Sequence, residues 1–318
     1  MERPNKNQSI TIAFYNVENL FDTFNDSATN DDDFLPGSAK RWTKKRYANK
    51  LYKLSSVIKT IGDEESADHP VIIGLAEVEN KHVLNDLVAH DNLTACNYQY
   101  VHFDSSDERG IDVALLYDYT QFQVTHSETF SVYLEDEQGN RDYTRDILLV
   151  TGMLYNEKVS FIVNHWSSRR EGEKATESKR LRASGRVNYI IENLKADDPD
   201  SQIIVMGDFN DNPSDTSIEN MVTHSMLFNP FKTVLSRQKG SLNHSFQWNL
   251  FDQILLSTNF LDSTNTKFSL SHADVFNDKW VTQYRGKYKG QPFRTYVGKK
   301  YHGGYSDHFP VYIQLIVK

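Results

Sequence analysis

Val205-Met206-Gly207-Asp208-Phe209-Asn210-Asp211-Asn212-Pro213 is the stretch on which the reading of this chain turns. Upstream, Gln202 to Met206 is a short, mostly β-branched run, the pattern of a buried strand. Gly207 breaks the strand, Asp208 and Asn210 follow two residues apart, and Asn212-Pro213 turns the chain. Positions i and i+2 at a strand end point the same way, so a carboxylate and a carboxamide project side by side from a rigid support. That pair suits a phosphate and a hard cation, because the acid orients water or metal and the amide donates to a phosphoryl oxygen. Taken alone, an Asp/Asn-rich turn after a strand explains these residues as well. The other strand ends shift the balance.

Composition sets the bounds. The 318 residues are 38% hydrophobic and 12% aromatic, enough for a sizeable core in one large domain or two small ones. No apolar run approaches the length of a membrane span. Met1 to Gln8 lacks the apolar stretch of a signal peptide, so a cytoplasmic protein is expected, or a secreted or periplasmic one whose signal was removed. The lone Cys96 excludes an intramolecular disulfide framework and a Cys-rich zinc site. A net charge of −8 argues against a protein that is basic throughout, yet leaves room for a local basic patch.

Along the chain, Ser9 to Tyr15 alternates as a first strand ending at Asn16-Val17-Glu18-Asn19. Asp22 to Asp33 reads as a solvated, mobile acidic loop. Tyr47, Leu51, Leu54, Ile58 and Ile61 recur at helical spacing, and Gly62 stops that helix. Val71 to Ala76 is a second apolar run, ending at Glu77-Val78-Glu79-Asn80, and a short helix over Lys81 to Ala89 follows. Further strands are expected over 98–103, 112–117, 122–130, 146–154 and 159–164, the last ending at His165. Ala183, Val187, Ile190, Ile191 and Leu194 line a helix, Ser214 to Val222 forms another, and Phe251–Ser257 and Phe309–Val317 close the series. Helices falling singly between hairpin-connected strands point to α+β layering, with sheets in the middle and helices outside. No repeat or linker divides the chain, so one domain over 9–318 is expected after a polar tail, 1–8.

Several strand ends carry groups that chemistry can use: Asn16, Glu77, His165, Asp208, Asn210 and Asp307-His308, with Asp252 opening one more strand. Clustering such groups costs desolvation unless something pairs with them. A hard divalent cation plus a phosphate would pair with acids, amides and imidazoles alike. The ordered tags Tyr15-Asn16-Val17-Glu18-Asn19, Gly74-Leu75-Ala76-Glu77, Asn164-His165, Gly207-Asp208-Phe209-Asn210, Phe251 to Ser257 and Ser306-Asp307-His308-Phe309-Pro310-Val311 resemble those of the endonuclease/exonuclease/phosphatase superfamily, the DNase I-like fold.

The resemblance covers nearly the whole chain. It implies a four-layer α/β/β/α sandwich of two mixed, mainly antiparallel sheets packed face to face. It implies that Glu77 is the principal metal ligand, assisted by Asn16, also placed on the phosphate, and by Asp307. Mg²⁺ fits an all-oxygen donor set best, with Mn²⁺ able to replace it. It further implies that Asp208 orients the attacking water or the phosphate and that Asn210 binds a phosphoryl oxygen. His308, held by Asp252, would contact the scissile phosphate or act as base, and His165 would stabilise the pentavalent transition state. Two acids stay open. Glu79 either shares the face of Glu77 or is a supporting or solvated acid. Asp112 either orients His165 or is a turn residue at a strand start. His244, His272 and His302 are scattered and read as surface or core histidines.

Substrate choice rests on the loops. From Lys279 to Lys300 there are seven cations and no acid, with Trp280, Tyr284, Tyr288, Phe293 and Tyr296 interleaved. Cations on phosphates and rings on bases suit a nucleic acid, though a sugar phosphate or a solvated loop would give the same mixture. Arg169, Arg170 and Lys174 follow His165 and are candidates to line the same cleft, Arg169 as a phosphate ligand. The chain therefore reads as a monomeric Mg²⁺-dependent phosphodiester hydrolase, an endo- or exonuclease cleaving by in-line attack of an activated water. The first alternative is a phosphatase or phosphodiesterase for a small or lipid head-group phosphoester such as an inositol phosphate. The second is a catalytically inactive binding module.

Overall fold

The computed structural model describes residues 9–318 except 65, 67, 137 and 263–265. The polar tail expected over 1–8 lies outside the described residues. Twelve strands form two six-stranded sheets. In chain order they are β1 (Ser9–Leu20), β2 (Ile72–Val78), β3 (Tyr98–His102), β4 (Asp112–Asp118), β5 (Phe122–Phe130) and β6 (Ile147–Leu154), then β7 (Glu157–His165), β8 (Gln202–Asp208), β9 (Leu227–Phe228), β10 (Asp252–Ser257), β11 (Phe268–Val275) and β12 (Val311–Val317). The helices are α1 (Lys44–Thr60), α2 (Lys81–Val88), α3 (Glu173–Asp197) and α4 (Thr216–Ser225).

The first sheet runs β11-β12-β1-β2-β4-β3 and the second β9-β10-β8-β7-β6-β5. Each has one parallel pair near its centre, β1 with β2 and β7 with β8. Every other pairing in the two sheets is antiparallel. The central strands are apolar on both faces because both faces are covered. On β8, Ile204 and Met206 join the core shared by the sheets, whereas Ile203 and Val205 pack under Val187, Ile190, Ile191 and Met221 of α3 and α4. Leu54, Val57 and Ile58 of α1 and Leu84 and Leu87 of α2 pack with the first sheet. The result is the α/β/β/α sandwich.

Local signals place the helices. Asn80 caps α2 by accepting from His82 N and Val83 N at 2.8 and 3.1 Å, and Gly62, at φ +78°, ends the turn after α1. The sequence does not announce β11: Phe268-Ser269-Leu270-Ser271-His272 is a half-polar sheet-edge strand whose register slips between Leu270 and His272. The acidic loop 22–33 also differs from expectation, because Asp22 and Asp31 are buried. Their carboxylates serve the loop's own backbone, Asp31 accepting from Asp26 N at 2.9 Å and Asp22 from Phe24 N at 2.7 Å.

Gly207 shows why the opening motif needs glycine. A Cβ there would meet the Asn164 carbonyl oxygen at 2.5 Å, because Asn164 of the paired strand lies directly alongside. Backbone cannot swing away as a side-chain tip can. Gly207→Ala is therefore expected to cost roughly 1–3 kcal/mol, seen as a lower urea midpoint at unchanged m-value; an unchanged midpoint would refute this account of the motif.

Candidate active site

The site forms where strand ends converge. The parallel pairs bring Asn16 beside the end of β2, and His165 beside Asp208, on one edge of each sheet. β10 runs against β8, so Asp252 pairs directly with Asp208. The bond from Asn16 Nδ2 to Asp208 Oδ2, 3.0 Å, joins the two sheets at this edge. Ser306 Oγ donates to the Asn16 carbonyl at 2.7 Å and accepts from His308 N at 3.0 Å, which fixes the approach to β12.

Two backbone distortions aim side chains into the cleft. The pairing of β2 with β4 slips between Ala76 and Val78, and Glu77 sits in that slip with φ +66°. A left-handed residue with a Cβ is unfavourable, and bulges that re-aim side chains recur beside functional sites. Glu77 Oε2 accepts from Asn19 N at 2.9 Å, while Oε1 lies 3.6 Å from Arg109 Nη2 and 4.0 Å from His165 Nε2. Asn210 is left-handed too, at φ +52°. Its backbone N–H donates to Asp208 Oδ1 at 3.0 Å and its Nδ2 to the Trp166 carbonyl at 3.0 Å.

The two histidines have opposite electrostatics. His308 Nδ1 lies 2.6 Å from Asp252 Oδ2, and Nε2 lies 4.0 Å from Asp208 Oδ2. Burial works against a charge on His308, but Asp252, Asp208 and Asp307 together hold it well above its ordinary pKa. His165 Nε2 is 3.8 Å from Asp208 Oδ2, and its buried Nδ1 has no hydrogen-bond partner among the described residues. Burial, then the charges of Arg145, Arg109 and His308, push His165 well below the usual range. Burial and then Asp252 raise Asp208 to about 7. Burial and then Asp307 raise Glu18 to about 7, despite Lys50 and the amides of Thr295 and Tyr296.

Burial is the main cause of both raised carboxyls, and each also faces a second carboxylate, Asp307 for Glu18 and Asp252 for Asp208, a grouping of acids that suits a divalent cation. Glu77, Asn16 and Asp307 offer it oxygen donors only, the chemistry of Mg²⁺ or Mn²⁺. Asp208, Asp252 and His308 also bring ligand atoms within 4.8 Å of one another. Asp252 is fully buried and closely bonded to His308, so it reads as the partner that holds this imidazole rather than as a metal ligand.

One sequence expectation changes, and the two acids left open are resolved. Arg169 has most of its donors engaged by the protein rather than turned to a phosphate. Its Nε donates to the Asn210 carbonyl at 2.6 Å, Nη2 pairs with Asp211 at 2.6 Å and with Asp215, and Nη1 pairs with Glu173 at 2.9 Å. It braces the turn after Asp208 instead. Asp112 does not orient His165; it accepts from Ser105 N at 3.2 Å and faces His102 Nε2 at 3.6 Å. Glu79 is not solvated. It is buried and accepts from Asp22 N at 2.6 Å.

Sequence reasoning passed over Glu18, Lys50, Arg109 and Ser306. Lys50 is fully buried, with Nζ donating to Thr295 Oγ1 at 2.6 Å and to the Tyr305 carbonyl at 2.7 Å. Its signal was available: it lies three residues after Tyr47 and four before Leu54, on the apolar stripe of α1. Glu18 accepts from Thr295 N and Tyr296 N at 2.7 and 3.1 Å and so anchors the basic loop. In that loop Tyr296 is core, packed with Phe34 and Trp42. Trp280, Tyr284 and Tyr288 are exposed. Lys279, Arg285, Lys287, Lys289, Lys299 and Lys300 are exposed as well, and no salt bridge among the described residues engages them.

The profile of the Endonuclease/Exonuclease/phosphatase family matches residues 11–317. The chain belongs to this family, whose members hydrolyse phosphoric esters. No curated protein matches the sequence. Among solved structures, an endonuclease/exonuclease/phosphatase family protein from Bacteroides thetaiotaomicron superposes with a TM-score of 0.62 at 17% identity, covering 98% of this chain and 95% of that one. The mannosyl-6-phosphatase of Bacteroides thetaiotaomicron gives 0.60 at 18% identity, covering 96% and 99%. TDP2 of D. rerio, complexed with a single-strand DNA product, gives 0.58 at 14% identity, covering 97% and 99%.

Burial, then the nearby Asp22, Asp31 and Asp26, raise Glu79 to about 8 against the pull of the Asp22 N–H. A carboxyl raised in the folded state contributes stability that is fully present below its unfolded pKa and lost as pH rises through the folded one. Glu79→Gln should therefore raise the Tm of the metal-free protein at pH 8.5 and leave it nearly unchanged at pH 4. Equal shifts in thermal melts at both pH values would contradict the assignment.

Proposed function

We propose that this chain is a Mg²⁺-dependent phosphodiesterase that cleaves nucleic acid by in-line attack of water. The observation that carries the reading is His308 Nε2 set 4.0 Å from Asp208 Oδ2 in one cleft, with its Nδ1 held 2.6 Å from Asp252 Oδ2. A general base works best with a pKa near the operating pH, so Asp208, raised to about 7, orients the water and takes its proton. Asn16 Nδ2 holds Asp208 Oδ2 in place, and the Asn210 N–H holds Oδ1. His308 turns its Nε2–H to a phosphoryl oxygen, where a fixed positive charge stabilises the transition state. Neutral His165 donates from Nε2 to the same group. Asn210 has a second Nδ2 hydrogen for phosphate beyond the one given to Trp166. Mg²⁺ held by Glu77, Asn16 and Asp307 would offset the charge that grows on the phosphoryl oxygens.

A polynucleotide is favoured by the unpaired cations and exposed rings of a loop that Glu18 ties to β1. The bound single-strand DNA product of TDP2 supports this reading by likeness of fold. A sugar phosphatase is the rival, supported by the likeness to the mannosyl-6-phosphatase. The test is hydrolysis of a single-stranded oligonucleotide, a plasmid and mannose 6-phosphate in parallel. The nucleic acids should be cut with Mg²⁺ and not with EDTA, and His308→Ala should lower kcat on the order of 10²–10⁴-fold. Phosphate release from mannose 6-phosphate alone would transfer the chain to the phosphatase branch.

A further inference from the structure

Beside the catalytic cleft lies a second pocket of about 270 Å³. One wall is a hairpin, Leu242–His244 paired with Gln247–Asn249, whose turn residues Ser245 and Phe246 have φ +51° and +65°. Two positive φ values in a two-residue hairpin suit Asn-Gly, and a bulky side chain there is strained. The strain projects Phe246 outward, 60% exposed, against the exposed Tyr288 of the basic loop. The two rings stack with centroids 5.7 Å apart and planes within 7°.

The chain provides its own comparison. Tyr155-Asn156 makes the same kind of turn, with φ +48° and +68°, but the Tyr155 ring packs against buried Phe268. Packing accounts for that turn. Phe246 has no core to fill, so a strained position presenting a flat apolar face points to a ligand.

Short links couple the pocket to the chemistry. The Ser241 carbonyl accepts from Phe309 N at 2.7 Å, and Ser241 Oγ accepts from Asp252 N at 3.3 Å. Asn243, in the pocket wall, is two residues further along, about 7 Å of extended chain. Arg294 Nη2 donates to the Asn243 carbonyl at 3.4 Å and precedes Thr295, the residue gripped by Glu18. The pocket wall is therefore tied to Asp252 and Phe309, the neighbours of His308, without including His308 itself. Gln291 and His302 add hydrogen-bonding groups to its lining.

We propose that this pocket binds a nucleobase adjacent to the scissile phosphate, stacked on the exposed Phe246 ring that Tyr288 backs, with its polar edge toward Gln291 and His302. The inference rests on the nuclease reading and deepens it. Stacking platforms flanked by cations recur where single strands are bound without strict sequence preference.

The test compares equilibrium binding of dAMP and deoxyribose 5-phosphate in EDTA, and cleavage of an oligonucleotide against one with an abasic residue beside the cut. Phe246→Gly relieves the left-handed strain, so its Tm should stay level or rise. It should nonetheless weaken dAMP binding, and raise KM for the intact oligonucleotide, roughly tenfold or more. Deoxyribose 5-phosphate, the abasic substrate and kcat should be nearly unaffected. Tyr288→Ala should behave alike, and Tyr288→Phe should retain the wild-type preference. Equal binding of the base-bearing and baseless ligands, or displacement of dAMP by mannose 6-phosphate at lower concentration than by a second nucleotide, overturns the pocket assignment. Cleavage indifferent to the neighbouring base also removes the pocket while leaving the nuclease reading intact. Phe246-dependent dAMP binding without nucleic-acid cleavage would keep the pocket and defeat the nuclease reading.

Discussion

Buried negative charge at the meeting of four strand ends governs this structure. Parallel pairing at the centre of each sheet brings the ends together, and face-to-face packing brings the two edges within hydrogen-bond distance at Asn16 and Asp208. Each acid taken from water there must find a donor or shift its pKa. Asp252 takes His308, Glu18 takes the amides of Thr295 and Tyr296, and Glu77 takes the amide of Asn19. These bonds do more than satisfy carboxylates. They fix loop 293–305 and the approach to β12, so the walls of the cleft are positioned by the same acids that make it reactive.

Glu18, Glu79 and Asp208 all keep raised pKa values after this pairing, and of the three Asp208 lies beside both histidines. Asp208 is held by two donors yet stays near 7, because burial and Asp252 outweigh them. His308 is the counterpart, a buried imidazole kept charged by its carboxylate neighbours. Removing either would change the other, since one field sets both. Backbone strain at Glu77 and Asn210 belongs to the same economy of position: each is left-handed where a relaxed strand would aim the side chain elsewhere.

Charge is also divided between body and rim. The net charge is −8, yet residues 279–300 present exposed cations without acids. Such a stripe on an acidic body favours approach of a polyanion at one mouth and disfavours adsorption elsewhere. The stripe's rings divide in two. Tyr296 anchors it in a core with Phe34 and Trp42, while Tyr288 is exposed and stacks on Phe246.

Much of this was legible in the chain. The β-branched runs with polar ends marked most strands, because a strand covered on both faces must be apolar until it leaves the sheet. Glycine before Asp208 read as a break in the strand, yet β8 runs through it to Asp208, and the residue is needed because Asn164 lies directly alongside. Periodicity cannot show partners distant in sequence. Arg169 looked like a phosphate ligand until Asp211 and Asp215, over forty residues on, took its donors. Asp112 looked available to His165 until His102 lay nearer, and half-polar β11 carried too weak an alternation to be seen. The sequence by itself determined which residues form the core and which strand ends are polar, because burial imposes a local period on side chains. Only the tertiary structure decided which acid faces which histidine and which cations remain free, because those pairings depend on contacts between segments that no local pattern relates.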